Sequence, residues 1–426
     1  MTHTPEITTR HRAWTFRMTP VRLTLCALAA VGGGIAIFRL VFGIGAVTNL
    51  SDRWPWGLWV WWDVLTGVAL AGGGYSTALL VHFLGRGRWK AVERAAFLTS
   101  LLGYLLVCAG LFLDLGRWVN VWRLPLVWKQ NPHSVMFELV WCVSGYTFVQ
   151  LVEFGYIFVE RVRAPRLARV LSKIYAPVLI FGVTLPLLHQ SALGSLYLLA
   201  NGRLDPLWWS MLLPLLFLLS SFFVGPAMVT VESFLSARSH GRRPPVPVLA
   251  EMVRLAGLIM VGYLCLKVAD LAWRGVLLEA FDGSITSNLF LLELGLGVLL
   301  PAVLFLGRGV GHRPARLVSA ASLVVLGVAL NRANVVFTGM ISSTGGASYI
   351  PSPSEIGLTV GLVAAGILAY LFIVENFPVY PGEAHVTPEP APIEHRTRAA
   401  AARPRTGTGV RPGERPRTLE GAGHRS

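Results

Sequence analysis

The chain has 426 residues, of which 54% are hydrophobic and only 14% are charged, and its formal net charge at pH 7 is +15. This composition is too apolar for a soluble globular protein of such length, so it predicts an integral membrane protein. The positive charge does not indicate a nucleic-acid partner, because Lys and Arg concentrate in the N-terminal segment, in alternate loops and in the C-terminal tail. That distribution follows the positive-inside rule and predicts that both termini are cytoplasmic.

Apolar windows of about 20 residues, the length that crosses roughly 30 Å of hydrocarbon, predict about ten transmembrane helices. The predicted spans cover residues 22–46, 57–84, 92–113, 134–158, 170–189, 206–235, 247–273, 287–307, 315–338 and 354–377. We therefore expect an all-α polytopic protein of the cytoplasmic (inner) membrane, with a transmembrane domain over residues 22–380.

Two polar ends flank this domain. Residues 1–21 form a cytoplasmic N-terminal segment, and the first span is predicted to be retained because its apolar run is longer than that of a secretory signal. The tail, residues 381–426, is rich in Pro, Arg, Gly and Thr and has almost no large apolar residue. It is predicted to be disordered, basic and held near anionic lipid.

Cysteine and histidine spacing argues against a resident metal cofactor. The four cysteines stand singly, without the C-x-x-C or C-x-x-C-H spacing of clusters and covalent haem. A b-type haem needs two axial ligands at matching depth, but only His82 and His189 lie within predicted spans, on opposite sides, and His133 is a loop residue. No haem and no iron–sulfur cluster are predicted in this chain.

A weak internal similarity links two parts of the chain. "GYLLVCAGLFLD" at residues 103–114 resembles "GYLCLKVAD" at residues 262–270, and each is followed by a span with an early glutamate, Glu138 and Glu293. Because four spans separate the two stretches, equivalent helices would point the same way, as in a parallel duplication of four-helix bundles. The Tyr–Asp spacings differ, so chance similarity remains an alternative.

Charged side chains deep in apolar helices cost about 2.5–3.5 kcal/mol on insertion scales, so each suggests a function. A rise of about 1.5 Å per residue places one group in the outward half of the membrane: Arg39, Asp63, Asp114, Glu138, His189, Lys267, Asp270 and Glu293. The inward half contains His82, Glu153, Glu232 and Glu375. The crowded outward half predicts a polar pocket among spans two to five, with Tyr104 deeper, near mid-membrane.

Aromatic and small residues surround Asp63 on the second span. Trp61 and Trp62 are interpreted either as walls for a flat ring or as lipid-facing side chains. Gly73 lies in a run of three glycines that lets a neighbouring helix or a flat ligand approach the backbone. The predicted members of an aromatic belt at the membrane interface are Trp54, Trp56 and Trp59.

Ordinary structural roles remain open for the same groups. Helix-surface ion pairs would account for Asp114 with Arg117 and for Lys267 with Asp270, and snorkelling would account for His82 and Glu375. Two outward segments are also notable. Residues 115–133 predict a structured interfacial surface, and residues 331–353, which are small, polar and turn-rich, predict a lid or a docking surface.

Three stretches, residues 54–75, 102–117 and 131–147, resemble the membrane subunits of the NrfD/polysulfide-reductase family, most of all the ten-helix branch of hydrogenase-2-type complexes. The resemblance implies two four-helix bundles and a subunit without haem that exchanges electrons between a membrane quinone, menaquinone or ubiquinone, and a partner. The implied partners are a periplasmic-side, ferredoxin-like iron–sulfur subunit and a catalytic pair, as in Ni/Fe hydrogenase.

The resemblance also implies residue roles. It places the quinone headgroup in the first bundle, about residues 57–189, lined by Asp63, Tyr104, Gly73, Asp114 and Glu138. His189 and Glu232 are implied to transfer protons. The resulting hypothesis is that electrons arrive at the outer face while the Asp63/Glu138 pair and Tyr104 deliver protons. A proton route from the cytoplasm would then need a relay through Glu153 or Glu232.

Three other functions remain open at this point. The first alternative is the quinol-oxidising subunit of another complex of this family, for polysulfide, nitrite or formate. Ten spans with a parallel repeat also suit a secondary transporter, although the polar residues favour one side rather than the midplane. A purely structural anchor for a peripheral enzyme is the third possibility.

Overall fold

A computed structural model of the chain describes residues 14, 16, 18–79, 90–162, 164–239, 243–345, 349–377 and 379. Within these residues the chain is helical and forms no β-strand, apart from an isolated bridge between Ser51 and Trp54. The predictions for the tail 381–426, for most of the segment 1–21 and for His82 fall outside the described residues.

Nine helices in the described part of the chain are long and apolar enough to cross a membrane, which confirms the all-α polytopic fold. In chain order the helices are α1 (Pro20–Phe42), α2 (Gly67–Leu70), α3 (Gly73–Ala78), α4 (Lys90–Asp114), α5 (Val135–Val162), α6 (Pro165–Leu198), α7 (Leu213–Ser239), α8 (Val246–Trp273), α9 (Ile285–Leu294), α10 (Leu300–Leu306), α11 (Pro314–Val336) and α12 (Pro353–Asn376). A π-helical turn, Gly295–Leu299, joins α9 and α10 into one span.

The predicted second span, residues 57–84, is helical but irregular. A π-helical segment, Trp59–Thr66, leads into α2, and the helix breaks at Ala71 and Gly72 before α3 begins. This span is therefore not one of the nine continuous helices, and its residues from 80 onward lie outside the described part. Single π-helical segments often mark functional sites, and this one contains Asp63.

The spans form the two four-helix bundles that the sequence predicts. The second span, α4, α5 and α6 pack in a ring, the first bundle, and α7, α8, the α9–α10 span and α11 form the second bundle. The bundles meet where α7 packs against α6 and α3. Helices α1 and α12 pair with each other outside these rings, and α12 contacts α4.

Small residues allow the closest helix contacts. A Cβ atom added to Gly32 of α1 would come within 2.6 Å of the Gly361 Cα atom of α12. One added to Gly327 of α11 would come within 2.2 Å of the Gly297 Cα atom in the α9–α10 span. These backbones touch directly, as is common between helices in membranes, where packing rather than water exclusion drives association.

The end of the fifth span differs from the prediction. The fifth span was predicted to end at His189, but α6 continues to Leu198, and His189 and Gln190 are fully buried inside the bundle. Asn331 was included both in the predicted span 315–338 and in the outward segment 331–353, and it lies within α11. Polar residues end an apolar window in the sequence even where the folded protein supplies their hydrogen-bond partners.

Candidate functional site

The interior of the first bundle contains a buried cluster of Tyr104, Tyr146 and His189. The Tyr104 hydroxyl oxygen and His189 Nε2 are 2.5 Å apart. The Tyr104 ring meets the Tyr146 ring edge to face, with centroids 4.6 Å apart, and lies 5.3 Å from the His189 ring. Because both a phenol and an imidazole can donate or accept a hydrogen bond, this contact is able to pass a proton.

Hydrogen bonds continue from this cluster toward the start of α4. The Tyr146 hydroxyl lies 3.4 Å from Ser100 Oγ, and Gln150 Nε2 donates to the same oxygen at 2.5 Å. Glu153 follows Gln150 by about one helical turn on α5, and its carboxylate lies against Gly182 of α6. These side chains occupy much of the interval between Glu153 and the mid-membrane cluster.

Two buried amide oxygens in this interior, Gln150 Oε1 and Gln190 Oε1, have no hydrogen-bond partner among the described residues. Gln190 Nε2 donates to the Val68 carbonyl oxygen at 2.9 Å, which fixes the side chain against the second span. Since buried polar atoms normally have a protein or water partner, an ordered water molecule at these oxygens would complete their hydrogen bonding.

Asp63 lies beside α12. Its carboxylate accepts a hydrogen bond from the Thr359 hydroxyl at 3.1 Å, and its Cβ packs on Gly110 of α4, where an added Cβ would be only 2.8 Å away. Asp114 follows Gly110 by one helical turn and is close enough to interact electrostatically with Asp63. We call this end of the first bundle, where α4 ends and α5 begins, the Asp114 end, and the opposite end the Lys90 end.

Arg39 of α1 supplies the positive charge near Asp114. It is fully buried and donates from Nη2 to the Leu115 carbonyl oxygen, whereas its Nε and Nη1 have no partner among the described residues. The alternative ion pair of Asp114 with Arg117 is not formed within the described part of the chain. The positive charge near Asp114 therefore comes from Arg39 on α1, and the spacing of residues near Asp114 in the sequence does not predict this.

Two predicted members of the pocket lie elsewhere. Glu138 is exposed in the first turn of α5, and its side chain forms no hydrogen bond or ion pair within the described residues, so it is not in contact with Asp63. A Cβ on Gly73 would come within 2.8 Å of Val229 Cγ2 on α7. The space beside Gly73 is therefore filled by a neighbouring helix rather than open to a ligand.

The two residues implied to transfer protons, His189 and Glu232, lie apart from each other. His189 was predicted to lie near the surface, but it is fully buried beside Tyr104. Glu232 is also buried and accepts a hydrogen bond at 2.9 Å from the Tyr370 hydroxyl of α12. It lies about two turns before the end of α7, toward the Lys90 end, so it is not part of the Tyr104 cluster.

The tryptophans before Asp63 are not all interfacial. Trp54 and Trp59 are buried, so the predicted aromatic belt is wrong for these two. Trp59 Nε1 donates to the Glu355 carbonyl oxygen at 3.3 Å, and Trp61 Nε1 donates to the Ala329 carbonyl oxygen at 2.9 Å. Trp62 is partly exposed and remains a candidate wall for a flat ring.

A hydrogen-bonded cap fixes the start of the second span to α12. The Leu58 backbone N–H donates to the Tyr349 hydroxyl at 2.9 Å, and this hydroxyl donates to Glu355 at 2.9 Å. Glu355 and Ser352 form a capping box at the start of α12. Burial raises the pKa of Tyr349, so its hydroxyl stays protonated and can donate the hydrogen bond to Glu355.

Three charged residues have partners that the sequence did not indicate. Asp270 pairs with Arg274 at 2.8 Å rather than with Lys267. Lys267 Nζ donates to the Leu207 carbonyl oxygen at 2.8 Å. Glu375, predicted to snorkel, forms a two-point ion pair with Arg22 of α1.

The described residues do not fit a metal centre or a b-type haem. No group of three or more His, Cys, Asp or Glu among them is arranged to hold a metal ion. His189 Nε2 faces Tyr104, and His133 is exposed in a loop, so this part of the chain offers no facing pair of histidines for axial ligation.

Four polar residues of the first bundle were missed at the sequence level: Ser100, Tyr146, Gln150 and Gln190. The signal for two of them is present in the sequence. Tyr146, Gln150 and Glu153 follow one another at spacings of four and three, which places them on one face of α5. Gln190 is adjacent to His189 but lies just beyond the predicted span 170–189.

The fold and the buried site define a class: polytopic all-α membrane proteins with two four-helix bundles and a polar interior in the first of them. Within that class, the chain belongs to the polysulphide reductase NrfD family, whose model matches residues 46–343. This match extends from the start of the second span to the end of the second bundle.

Individual relatives cover most of the chain. The "Probable Ni/Fe-hydrogenase 2 b-type cytochrome subunit" of Escherichia coli K12 is 31% identical over 82% of this chain and 89% of its own length. The "Menaquinone reductase, integral membrane subunit" of Nitratidesulfovibrio vulgaris Hildenborough is 28% identical over 83% of this chain and 90% of its own length. A further protein of the same organism is 34% identical over 85% of this chain and 95% of its own length.

Proposed function

We propose that this protein is the quinone-reactive membrane subunit of an oxidoreductase complex in the cytoplasmic membrane, passing electrons between a partner subunit and menaquinone or ubiquinone. The observation that carries the proposal is the buried contact of Tyr104 with His189, which lies between Asp63 and Asp114 at one end and the Gln150 and Glu153 side chains at the other. The names of two relatives, a probable Ni/Fe-hydrogenase subunit and a menaquinone reductase subunit, support it.

The proposed partner is a ferredoxin-like iron–sulfur subunit with a catalytic pair of Ni/Fe-hydrogenase type, docked at the Asp114 end on the periplasmic side. The hydrogenase name of the Escherichia coli relative supports this choice. Trp122 and Trp128, in the loop that follows Asp114, are exposed and give this end an apolar surface. Aromatic side chains are enriched in protein interfaces.

Quinone reduction consumes two electrons and two protons, so the site must deliver both protons to the headgroup oxygens. In our proposal the Tyr104 hydroxyl donates one proton and is reprotonated from the Tyr146 side, while His189 Nε2 remains its hydrogen-bond partner, and the Asp63 carboxyl donates the other proton. Positioned acids of this kind contribute about 10²- to 10⁴-fold to a rate. Quinol oxidation uses the same groups in reverse, as bases.

The polar side chains below Tyr104 are the proposed proton route from the cytoplasmic side. Hydrogen bonds join Gln150 to Ser100 and Ser100 to Tyr146, and the route needs water molecules to pass a proton from Glu153 to these side chains and from Tyr146 to Tyr104. Glu232 and Tyr370 offer a second entry at the Lys90 end. Proton uptake by either route would separate charge across the membrane, because the protons would come from the cytoplasmic side and the electrons from the partner on the opposite side.

Asp63→Asn is expected to lower quinone reduction by the purified complex about 10²-fold, because the amide keeps the shape of the side chain but cannot deliver a proton. The matched control is Asp205→Asn, in the loop before α7, where the side chain only accepts a hydrogen bond from the Leu207 backbone and an amide oxygen replaces it. The control should retain the wild-type rate. Wild-type activity in Asp63→Asn would contradict the proposed function and favour a structural anchor.

A further inference from the structure

Three buried charged residues of the second bundle are not used by the proposed quinone chemistry: Lys267, Glu293 and Arg332. The Glu293 carboxylate accepts hydrogen bonds from Trp208 at 2.9 Å, Asn331 at 2.7 Å and Asn334 at 2.9 Å. All three donors are neutral side chains. These contacts stabilise the carboxylate, but they do not pair it with either cation.

The two cations are almost fully buried, and within the part of the chain that the structure describes they donate only to neutral acceptors. Lys267 on α8 and Arg332 on α11 are 3% and 1% exposed. The Lys267 ammonium donates to the Leu207 carbonyl oxygen at 2.8 Å, which uses one of its three N–H donors. Arg332 donates to Ser220 and Asn331 at 2.6 Å each, and its Nε has no partner among the described residues. Both cations therefore retain unused donors.

Positive charges outnumber negative charges around these two side chains. Lys267 and Arg332 both interact electrostatically with Glu293. Lys267 also interacts with Asp270 and Arg274, which form an ion pair with each other at 2.8 Å. One carboxylate, Glu293, is thus shared by two cations, and one positive charge has no counter-ion. Because an uncompensated charge in a buried site is strongly unfavourable, this interior favours an added anion.

The space for such an anion is a cavity that Lys267 and Arg332 line together, which leaves about 10 Å³ for the centre of a water molecule. This volume is enough for one water molecule, and a halide ion is only slightly larger. Phe217 forms part of the wall, and the Arg332 guanidinium lies over its ring, 3.6 Å from the centroid. The stacking contact fixes the orientation of the guanidinium at the edge of the cavity.

The polar groups that line this cavity are mainly hydrogen-bond donors. Besides the two cations, the Tyr263 hydroxyl can donate a hydrogen bond. The side-chain oxygen of Asn331, which also lines the cavity, already accepts from Arg332. No carboxylate of a described residue is part of the lining. A space bordered by two cations and by unused donors fits an anion and does not fit a metal cation.

We propose that this cavity is a halide-binding site, occupied in the cell by chloride. The ion accepts hydrogen bonds from the Lys267 ammonium, the Arg332 guanidinium and the Tyr263 hydroxyl, and it neutralises the positive charge that Glu293 leaves uncompensated. No covalent bond forms and no electron is transferred. The bound ion holds α8 against α11 inside the second bundle. This site goes beyond the proposed quinone chemistry and does not depend on it.

The first test is anomalous diffraction from crystals of the purified complex in sodium bromide, because bromide scatters anomalously and binds where chloride binds. We expect an anomalous peak in the cavity, within hydrogen-bond distance of the Lys267 and Arg332 side chains. A cavity that is empty or holds only water would overturn the inference, and it would mean that Lys267 is neutral.

The second test measures the unfolding temperature of the full-length chain in detergent, with chloride replaced stepwise by gluconate at constant ionic strength. Gluconate is too large for the cavity. A ligand that binds only the folded state raises its stability, so the wild-type unfolding temperature should rise by about 2 °C for each tenfold increase in chloride above its dissociation constant. Lys267→Met removes one cation while an unbranched side chain is kept, and its unfolding temperature should not depend on chloride.

Arg254→Met is the matched control, because Arg254 is an exposed cation about 20 Å before Lys267 along α8 and does not line the cavity. It should keep the wild-type dependence on chloride. Equal chloride dependence in the two variants would overturn the inference, as would a wild-type unfolding temperature that is the same in chloride and gluconate. If Lys267→Met does not fold, the bromide map and the wild-type titration decide. The proposed function is judged by quinone reduction and stands in each of these cases.

Discussion

Tyr104→Phe is expected to lower quinone reduction by about 10²-fold or more, because it removes the proton-donating hydroxyl. The hydroxyl lies 2.5 Å from His189 Nε2, so the substitution also leaves the imidazole without its partner across the bundle. The Tyr104 ring and its edge-to-face contact with Tyr146 are preserved. The rate should therefore fall without a comparable loss of folded protein, as measured with purified complex and a soluble quinone.

Tyr75→Phe is the matched control for this prediction. Tyr75 is as buried as Tyr104, and its hydroxyl makes one hydrogen bond of the same length, to Ser221 on α7. Removing either hydroxyl costs about 1 kcal/mol of stability. Equal rates in Tyr104→Phe and Tyr75→Phe would show that Tyr104 contributes only to packing.

Glu293→Ala is expected to give the largest loss of stability of any single substitution considered for this protein, about 3–5 kcal/mol. The change removes the acceptor of three buried donors, from Trp208, Asn331 and Asn334, and leaves Lys267 and Arg332 without a nearby negative charge. Thermal unfolding of the chain in detergent, followed by tryptophan fluorescence, would measure the effect.

Glu138→Ala is the control for the stability prediction, because Glu138 is exposed and has no partner among the described residues. Its unfolding temperature should match that of the wild type. If the unfolding temperature of Glu293→Ala also matches that of the wild type, the hydrogen bonds to Glu293 contribute nothing to stability and the prediction is wrong.

The sequence was sufficient to predict the architecture. Span length and hydropathy report the free energy of placing a segment in hydrocarbon, which each segment determines largely by itself. The predicted first span, residues 22–46, and the observed helix Pro20–Phe42 agree within a few residues, as do most others. The exception is the span that contains Asp63. Its helix breaks at Ala71 and Gly72, and this break does not change the hydropathy of the segment, so hydropathy could not predict it.

The composition of the site was only partly predictable. Asp63, Tyr104 and His189 were all named from the sequence, but their partners depend on which face of each helix turns inward. The contact of Asp63 with Thr359 joins residues almost 300 positions apart. Residue counting along each helix predicts that Glu138 and Asp63 lie at the same depth in the membrane. It does not predict how α5 is rotated about its axis, and that rotation leaves Glu138 exposed.

Burial by protein rather than lipid explains the remaining errors. Trp54 was assigned to the membrane interface because tryptophan is enriched there, but it packs against Phe337 and Tyr349 inside the protein. Asn331 and Asn334 were included in an outward segment as well as in the predicted span 315–338, and both donate hydrogen bonds to Glu293. Hydropathy does not identify the members of a buried polar cluster, because their mutual hydrogen bonds offset the free-energy cost of burying each of them.

The most direct test of the central claim is to locate the quinone in the wild-type complex. A quinone analogue with a photoreactive headgroup would be cross-linked in the membrane, and labelled peptides would be mapped with and without excess natural quinone. The account predicts competed labelling of peptides that carry Asp63, Tyr104 or Asp114, between the middle of the first bundle and its Asp114 end. Competed labelling confined to the second bundle, or to the Lys90 end, would contradict it.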